Sequence, residues 1–293
     1  MMNQSTFTLI NPQNGNLAFK LFSFEDGLAF DHVQRLNYYS LIWVQKGNGT
    51  AKVDFSAFDF NENTMFSFVP YQPFMFTEKE TIKGVVINFH PDFFCIHKHQ
   101  QEVSCNGVLF NNIYQAPFIT VDNASSNTFS SLIEQIKTEM QNPAIAQFEL
   151  LVSYLKILLI TASRLKTAQQ PASQQVVTDN QEPFILQTLK DTIEKEFKTK
   201  HSASEYADAL NISAKALAKI TKSYFNKTIT DLISERIVIE AKRELYLTSK
   251  PVKQIAYELG YDDEHYFSRF FKNNADVSPQ LYRETVGFAR AEV

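Results

Sequence analysis

The stretch Gly260–Lys272 reads GYDDEHYFSRFFK and carries opposite charges at its two ends. Residues 262–264 are all acidic, whereas Arg269 and Lys272 lie towards the other end. Acidic side chains in the first turn of a helix cap free backbone N–H groups and suit the positive end of the helix dipole. The acidic start therefore predicts a helix N-terminus. The basic end provides charges that suit a polyanion.

A second copy of this pattern lies earlier in the chain. Ala207–Ser213 is echoed by Ala256–Asp262, and Leu217–Lys219 then matches Phe267–Arg269 if one residue is inserted in the second turn. A duplicated unit of helix, tight turn and second helix is the signature of the helix-turn-helix. Between the copies, Thr230–Leu247 predicts a long amphipathic helix that holds the two units at a fixed spacing.

Each predicted second helix has a polar face with basic residues. In the first copy, Lys215, Lys219 and Lys222 fall at i, i+4 and i+7. In the second copy, Glu264, His265, Ser268, Arg269 and Lys272 share a face, and Tyr266, Phe267, Phe270 and Phe271 are predicted to pack on the opposite side. An ordinary solvated face is the alternative, but basic positions matched in both copies favour a nucleic acid. A helix fits the major groove, where an arginine can make two hydrogen bonds to guanine.

The C-terminal sequence resembles the AraC/XylS family of bacterial transcription regulators. The resemblance is carried by Arg236-Ile237, Ala241, Ile255–Tyr261, Tyr266–Lys272, Ser278-Pro279 and Tyr282-Arg283. It is strong over residues 185–287 and implies that two recognition helices enter successive major-groove segments on one face of the DNA. The DNA-contacting candidates that it implies, together with the capping residue, are Ser213, Lys215, Ala218, Lys219, Lys222, Glu264, His265, Ser268, Arg269 and Lys272. At the helix ends, Asn226 and Asp276 replace the usual glycine of the family, and both tolerate the left-handed conformation.

Residues 1–122 have the composition of β-strands. The predicted strands are Leu41–Val44, Ala51–Phe60, Phe66–Val69 and Val85–Phe89, and the predicted turns are Lys46–Gly49 and Pro70–Pro73. Many short strands separated by turn residues are typical of a sandwich or barrel. The segments Leu41–Thr50 and Phe66–Pro70 resemble the cupin-type sensory domain of the same family. The resemblance implies a cupin-like β-barrel, so the expected fold class is a multidomain α+β protein.

Residues 123–166 are predicted to form two helices after the β domain. Phe129, Leu132, Ile133, Ile136 and Met140 make one apolar stripe, and residues 145–166 are apolar over most of the helix circumference. Such a helix must be covered on several sides. We expect a homodimer interface there, and burial within one chain is the alternative. The polar segment 167–182 is interpreted as a linker, and residues 183–293 as the DNA-binding domain.

The front domain offers little catalytic or metal-binding chemistry. His90, Cys95, His97, His99, Glu102 and Cys105 crowd one predicted loop. A zinc site needs four convergent ligands, and we expect a solvated loop without a metal or cofactor. No nucleophile and base pair is evident, so we expect no catalytic residue. Tyr38, Tyr39 and Trp43 are candidate contacts for a small apolar or planar effector, with plain hydrophobic core as the alternative.

Size and composition are consistent with two globular domains. The chain has 293 residues, 44% of them apolar, and a formal net charge of −4. Two cysteines are too few for a disulfide framework, and Leu150–Ile160 is shorter than the roughly 18 to 20 residues of a membrane span. We expect a cytoplasmic transcription regulator that binds double-stranded DNA and, if it is an activator, RNA polymerase. The alternatives are a cupin-fold metal-dependent enzyme with an accessory helical domain and a ligand-independent regulator.

Overall fold

The computed structural model describes residues 6–11, 15–54, 56–104, 106–169 and 184–286. The chain divides into two compact units. The first comprises Met1–Asn112 and Ala116–Gln169, and the second comprises Ile113–Gln115 and Gln170–Val293. None of the described helices has the length and apolar composition needed to cross a membrane.

The first unit is built on one antiparallel sheet of seven strands. The strands are β1 (Thr6–Ile10), β2 (Leu17–Phe24), β3 (Tyr39–Val53), β4 (Ser56–Phe60), β5 (Thr64–Phe68), β6 (Phe74–Phe89) and β7 (Phe118–Thr120). They follow the order β1-β2-β6-β3-β5-β7, and β4 pairs with the second half of β3. The two long strands β3 and β6 therefore form the centre of the sheet.

The predicted turn at Lys46–Gly49 is wrong, because these residues lie inside β3. The strand continues through them with register shifts against β6 between Val44 and Gly49. Gly47 has a φ of +84°, and a Cβ atom there would come within 2.4 Å of the carbonyl oxygen of Thr81. The two glycines thus serve an irregular strand that bends against its neighbour, not a chain reversal. The predicted single strand Ala51–Phe60 is instead a hairpin, with the end of β3 paired to β4.

Both faces of the sheet are buried, because alternate side chains of β3 enter different cores. Leu41 and Trp43 join the core that also contains the helices of this unit. Ile42 and Val44 join a second core that is rich in phenylalanine. Within that second core, the rings of Phe68 and Phe74 stack with centroids 3.9 Å apart.

Three helices complete the first unit: α1 (Gln100–Val103), α2 (Asn123–Gln141) and α3 (Gln147–Ala168). The predicted stripe on α2 is confirmed, since Phe129, Leu132, Ile133 and Ile136 are buried and Met140 is partly buried. On α3, one side is buried, but Phe148 and Ile157 are 45% and 47% exposed. The predicted linker begins inside α3, and its residues from 170 onward lie outside the described part of the chain.

Lys166, near the end of α3, is an unusual buried cation. Its Nζ atom donates to the carbonyl oxygens of Ala116 and Phe118 at 2.6 and 2.7 Å. The side chain has no acidic partner among the described residues. Burial without a counter-charge lowers its pKa to about 8.

The second unit is helical. Its helices are α4 (Phe184–Glu196), α5 (Ala203–Ala209), α6 (Ala214–Phe225), α7 (Ile229–Leu247), α8 (Val252–Glu258), α9 (Glu264–Ala275) and α10 (Pro279–Val286). Two pairs recur, because α5 and α8 are each 7 residues long and precede α6 and α9, which are each 12 residues long. The helix α7 lies between the pairs in sequence and is packed on its apolar side, with Leu232, Ile233, Ile237, Ala241 and Leu245 buried.

Candidate DNA interface

Helix α6 is defined by residues with specific roles at its ends. The Oγ atom of Ser213 accepts a hydrogen bond from the backbone N–H of Ala216 at 3.2 Å. At the other end, Asn226 has a φ of 54°, which is the left-handed conformation predicted for it. Leu217 and Thr221, four residues apart, are buried and attach the helix to its unit. The side chains on the opposite side are therefore free to face solvent.

Helix α9 has the same design. The N-cap is Asp263, whose side chain accepts a hydrogen bond from the backbone N–H of Tyr266 at 2.5 Å. The helix ends at Asp276, with a φ of 60°, and the N–H of this residue donates to the carbonyl of Lys272 at 2.7 Å. Phe267 and Phe271 are fully buried. The predicted caps of both helices are thus confirmed.

The structure places the proposed DNA contacts mainly on open surface. The exposed residues are Ser213, Lys215, Ala218, Lys219, Lys222, His265, Arg269 and Lys272. Glu264 and Ser268 are half-buried. On α6 the exposed set lies along one stripe at a spacing of three and four residues, which is one face of a helix. On α9, His265, Arg269 and Lys272 form the corresponding stripe.

Tyr266 corrects one prediction on α9. We expected it to pack with Phe267, Phe270 and Phe271, but its side chain is 59% exposed. One residue turns the helix by about 100°, so Tyr266 lies beside the buried pair at Phe267 and Phe271 and not with it. Asn273, seven residues later, is also exposed. These two polar groups flank Arg269 at a spacing that helical periodicity could have identified, and the sequence reasoning missed them.

Most basic residues around α7 are neutralised by neighbouring carboxylates. The shortest nitrogen to oxygen distances are 2.7 Å for Lys227 to Glu235, 2.7 Å for Arg236 to Glu194, 2.8 Å for Arg243 to Glu244 and 2.5 Å for Lys250 to Glu258. The hydrogen bond from Lys250 is the main cause that holds the pKa of Glu258 below its usual value. These cations are already paired with carboxylates within the protein.

The basic residues of α6 and α9 behave differently. Lys215, Lys219, Arg269 and Lys272 make no ion pair within the ranges that the structure describes, and Lys222 only donates to the carbonyl of Asn226 at 3.4 Å. Uncompensated cations that project from two exposed helix faces attract phosphate groups. The arrangement can therefore bind a polyanion without first breaking internal ion pairs.

The three candidate effector contacts do not form one site. Tyr39 and Trp43 lie in the core, where Tyr39 stacks on Phe89 and Trp43 meets Phe129 edge to face with centroids 5.9 Å apart. Tyr38 instead lies beside His90, with centroids 6.2 Å apart. Burial, with a smaller contribution from Tyr71, raises the pKa of Tyr38. The buried Nε1–H of Trp43 has no hydrogen-bond acceptor among the described atoms.

The side chains of the histidine-rich loop make ordinary contacts with neighbouring residues. Among the described residues, no group of three or more His, Cys, Asp or Glu is arranged to hold a metal, and Cys105 lies outside those residues. The ring of His99 stacks on Phe94. Glu102 accepts hydrogen bonds from Lys156 at 2.5 Å and from His99 at 2.8 Å, and these bonds lower its pKa to about 2.

Comparison with known proteins points to the same helices. Residues 206–285 match a family described as a helix-turn-helix domain. Over 84 residues the chain is 31% identical to the HTH-type transcriptional activator Btr of Bacillus subtilis. This match covers 29% of this chain and 16% of Btr. Over 99 residues it is 29% identical to the regulatory protein SoxS of Salmonella typhimurium. This match covers 34% of this chain and 92% of SoxS.

Among solved structures, the chain is similar to the C-terminal domain of AraT, a response regulator from Geobacillus stearothermophilus. The identity is 28% and the TM-score is 0.37, with 39% of this chain and 94% of that domain covered. The chain spans less than half the length of the first curated relatives it matches. The family match covers α6, α7, α8 and α9 completely. Residues 206–285 therefore match a helix-turn-helix domain, in agreement with the sequence resemblance to the AraC/XylS family.

Proposed function

We propose that this protein is a sequence-specific DNA-binding transcription regulator. The observation that carries the proposal is the contrast between two groups of cations in the second unit. Those around α7 are paired with carboxylates, as Arg236 is with Glu194 at 2.7 Å. Those on the exposed faces of α6 and α9 have no such partner among the described residues. Duplex DNA is the polyanion whose grooves match the width of a helix.

In this proposal the pairs α5/α6 and α8/α9 are two helix-turn-helix units, and α7 is the connecting strut. Helices α6 and α9 enter neighbouring segments of the major groove. Lys222 and Lys272 contact phosphates, and the residues nearer the start of each helix lie deeper in the groove, within reach of base edges. Phosphate contacts set the register of the protein on the duplex, and base contacts select the sequence.

A selection from randomised duplex DNA tests this function. The purified full chain is incubated with the pool at moderate salt, and bound duplexes are enriched and sequenced. We expect a reproducible sequence to emerge, with an affinity at least about a thousandfold above that for random DNA. The logarithm of affinity should fall linearly with the logarithm of salt concentration. Binding without sequence preference, or no binding at all, would contradict the proposal.

For the first unit we propose a cupin-like barrel that senses a small effector. The domain limits follow the sequence interpretation, with sensing at 1–122, helices at 123–166, a linker at 167–182 and DNA binding at 183–293. Tyr38 is the best placed of the three candidate contacts, since Tyr39 and Trp43 lie in the core. A true effector must raise the melting temperature by mass action. A panel of small aromatic and apolar compounds in a thermal-shift assay tests this proposal.

We further propose a homodimer, with α3 in the interface. Phe148, Leu150 and Ile157 are large apolar residues that this helix exposes. Burying such side chains against a second copy is favourable by about 25 cal/mol per Å² of apolar surface. Sedimentation of the full chain, compared with an Ile157→Glu variant, tests the assembly. A cytoplasmic location and a contact with RNA polymerase, if the protein is an activator, complete the proposal.

No catalytic role is part of the proposed function. The two curated relatives reported above are named a transcriptional activator and a regulatory protein. The alternative of a metal-dependent cupin enzyme requires a bound metal ion. Elemental analysis of the purified protein separates the two, because stoichiometric zinc or iron would favour the enzyme.

A further inference from the structure

The two candidate recognition helices differ in the chemistry of their exposed faces. The exposed face of α6 contains Lys215, Ala218, Lys219, Lys222 and Ser223, and the helix itself has no arginine, asparagine or glutamine. A lysine is a compact charge on a flexible stem, so it reaches a phosphate as readily as a base. Ala218 offers a single methyl group. This face therefore discriminates weakly between base pairs.

The face of α9 is varied. Arg269 carries a planar fork of donors, which suits the two acceptors of guanine. His265 is exposed, and Ser268 and Glu264 are partly accessible, so donors and acceptors of several kinds occur within about two turns of helix. Such groups are matched by some base edges and left unpaired by others, which is the physical basis of selectivity.

The charges around the two helices differ in the same sense. Between Ser213 and Asn226 there are three lysines and no acidic residue. From Asp262 to Asp276, with both ends included, there are two basic and four acidic residues. Attraction to the phosphate backbone is consequently strong at α6. It is weakened at α9, whose affinity depends more on hydrogen bonds to the bases.

The capping residues reinforce this contrast. Helix α6 is capped by the neutral Ser213, so the partial positive charge of its N-terminus is left for an anion. Helix α9 is capped by Asp263, and Asp262 and Glu264 lie beside it. The acidic side chains offset the helix dipole at α9. Only α6 therefore keeps both its lysines and its dipole for the phosphates.

Building on the proposed function, we propose that the two helices divide the work of binding. Helix α6 is a sequence-tolerant anchor that binds phosphates, and α9 reads the bases. The preferred DNA site then has one strongly specified block of base pairs, which α9 contacts. The adjoining groove segment, which α6 contacts, has little base preference.

The first experiment is the selection from randomised DNA with the full chain, analysed position by position. We expect a single conserved block flanked on one side by a weakly specified segment that binding nonetheless protects from cleavage by hydroxyl radicals. Two equally conserved blocks would overturn the division of work while leaving the proposed function intact. Failure to bind any duplex would overturn both.

The second experiment assigns the roles to helices. Arg269→Ala should lower affinity for the selected duplex by roughly ten- to a hundredfold and should reduce its preference over random DNA. Lys219→Ala should weaken both duplexes by one common factor and should reduce the slope of log affinity against log salt by about 1. Lys195→Ala removes an exposed lysine of α4, whose side chain is 82% exposed, and serves as the control.

The two variants also define what would contradict the proposal. A change of preferred sequence in Lys219→Ala would contradict the role given to α6. An equal weakening of all duplexes by Arg269→Ala would contradict the role given to α9. Both substituted side chains are exposed, so thermal unfolding of each variant should match that of the unaltered chain. Lys219→Arg keeps the charge, so it should bind both duplexes about as tightly as the unaltered chain. It should add no new conserved block to the selected sequence.

Discussion

Gly260 lies against the main-chain carbonyl of Lys198, so closely that a Cβ atom at position 260 would come within 2.1 Å of that oxygen. The corresponding residue in the first helix pair is Asn211. Both residues have a positive φ, 82° for Gly260 and 53° for Asn211. Asn211, however, is exposed. The turn before α9 therefore requires the absence of a side chain, whereas the turn before α6 requires only the left-handed backbone.

This difference predicts opposite responses to exchanging the two residue types. Gly260→Asn should lower the free energy of unfolding by about 1 to 3 kcal/mol or more, because asparagine accepts the backbone conformation but its Cβ overpacks the site. The matched change Asn211→Gly should leave stability nearly unchanged. Urea unfolding followed by far-UV circular dichroism measures both. Equal destabilisation by the two changes would show that the close contact is unimportant.

The cap of α9 allows stability and DNA affinity to be separated. Asp263→Ala removes the hydrogen bond to the N–H of Tyr266 and should cost about 1 kcal/mol. Asp263→Asn keeps an acceptor oxygen and should be nearly neutral for stability. Both variants remove a negative charge beside the proposed DNA face, so both should bind DNA more tightly at low salt. Tighter binding by only one of them would place the effect in the helix fold and not in the charge.

Buried Lys166 predicts a particular dependence of stability on pH. Its pKa falls from an ordinary 10.5 to about 8 in the folded chain. Between these values the unfolded chain still binds a proton that the folded chain has released, so the free energy of unfolding should rise with pH. The rise should be on the order of 3 kcal/mol at most. Below about pH 8 the amine is charged in both states, and its contribution no longer changes.

The Lys166→Met variant should lack this rise between pH 8 and 10.5 when urea unfolding is measured over a pH series. Lys156→Met provides the control, because Lys156 is bonded to Glu102 and is more accessible to solvent. It should retain the full rise. A parallel increase in the unaltered chain and in both variants would assign the effect to other groups.

We expect replacement of Lys222 to weaken DNA binding by the same factor whatever the DNA sequence. This residue lies near the end of α6, where the proposed function places a phosphate contact. Lys222→Ala should weaken selected and random duplexes by the same factor and should make binding less sensitive to salt. Fluorescence anisotropy with both duplexes at several salt concentrations measures this. A loss confined to the selected duplex would show that Lys222 reads a base.

The helical half could be predicted in detail because its signals are local. Caps at Ser213 and Asp263, and left-handed ends at Asn226 and Asp276, depend on neighbours within one turn of helix. The β half could not. Whether Gly47 lies in a turn or in a strand depends on β6, more than thirty residues away, whose backbone approaches it at Thr81. The pairing of β3 with β6 therefore decides the backbone conformation at Gly47, although the local residues are typical of a turn.

Side-chain direction was the other source of error. Tyr39 and Trp43 lie four residues apart on one face of β3 and both enter the same core, whereas Tyr38 precedes the strand and lies beside His90. Closeness in sequence therefore did not make the three residues one site. On α9 the aromatic residues were grouped by type. The rotation of about 100° per residue separates Tyr266 from the buried pair Phe267 and Phe271. Both cases show that composition identifies a surface only when the geometry of the element is applied.

The length of α7 has a consequence of its own. Its 19 residues span about 28 Å, somewhat less than the roughly 34 Å of one turn of DNA. Deleting a single residue from this rod would rotate everything beyond it by about 100° while moving it only about 1.5 Å. Helix α9 would then meet the duplex out of phase with α6, although every contacting side chain was intact. In a regulator of this design, single-residue insertions and deletions in α7 should therefore impair DNA binding more than substitutions on its exposed side.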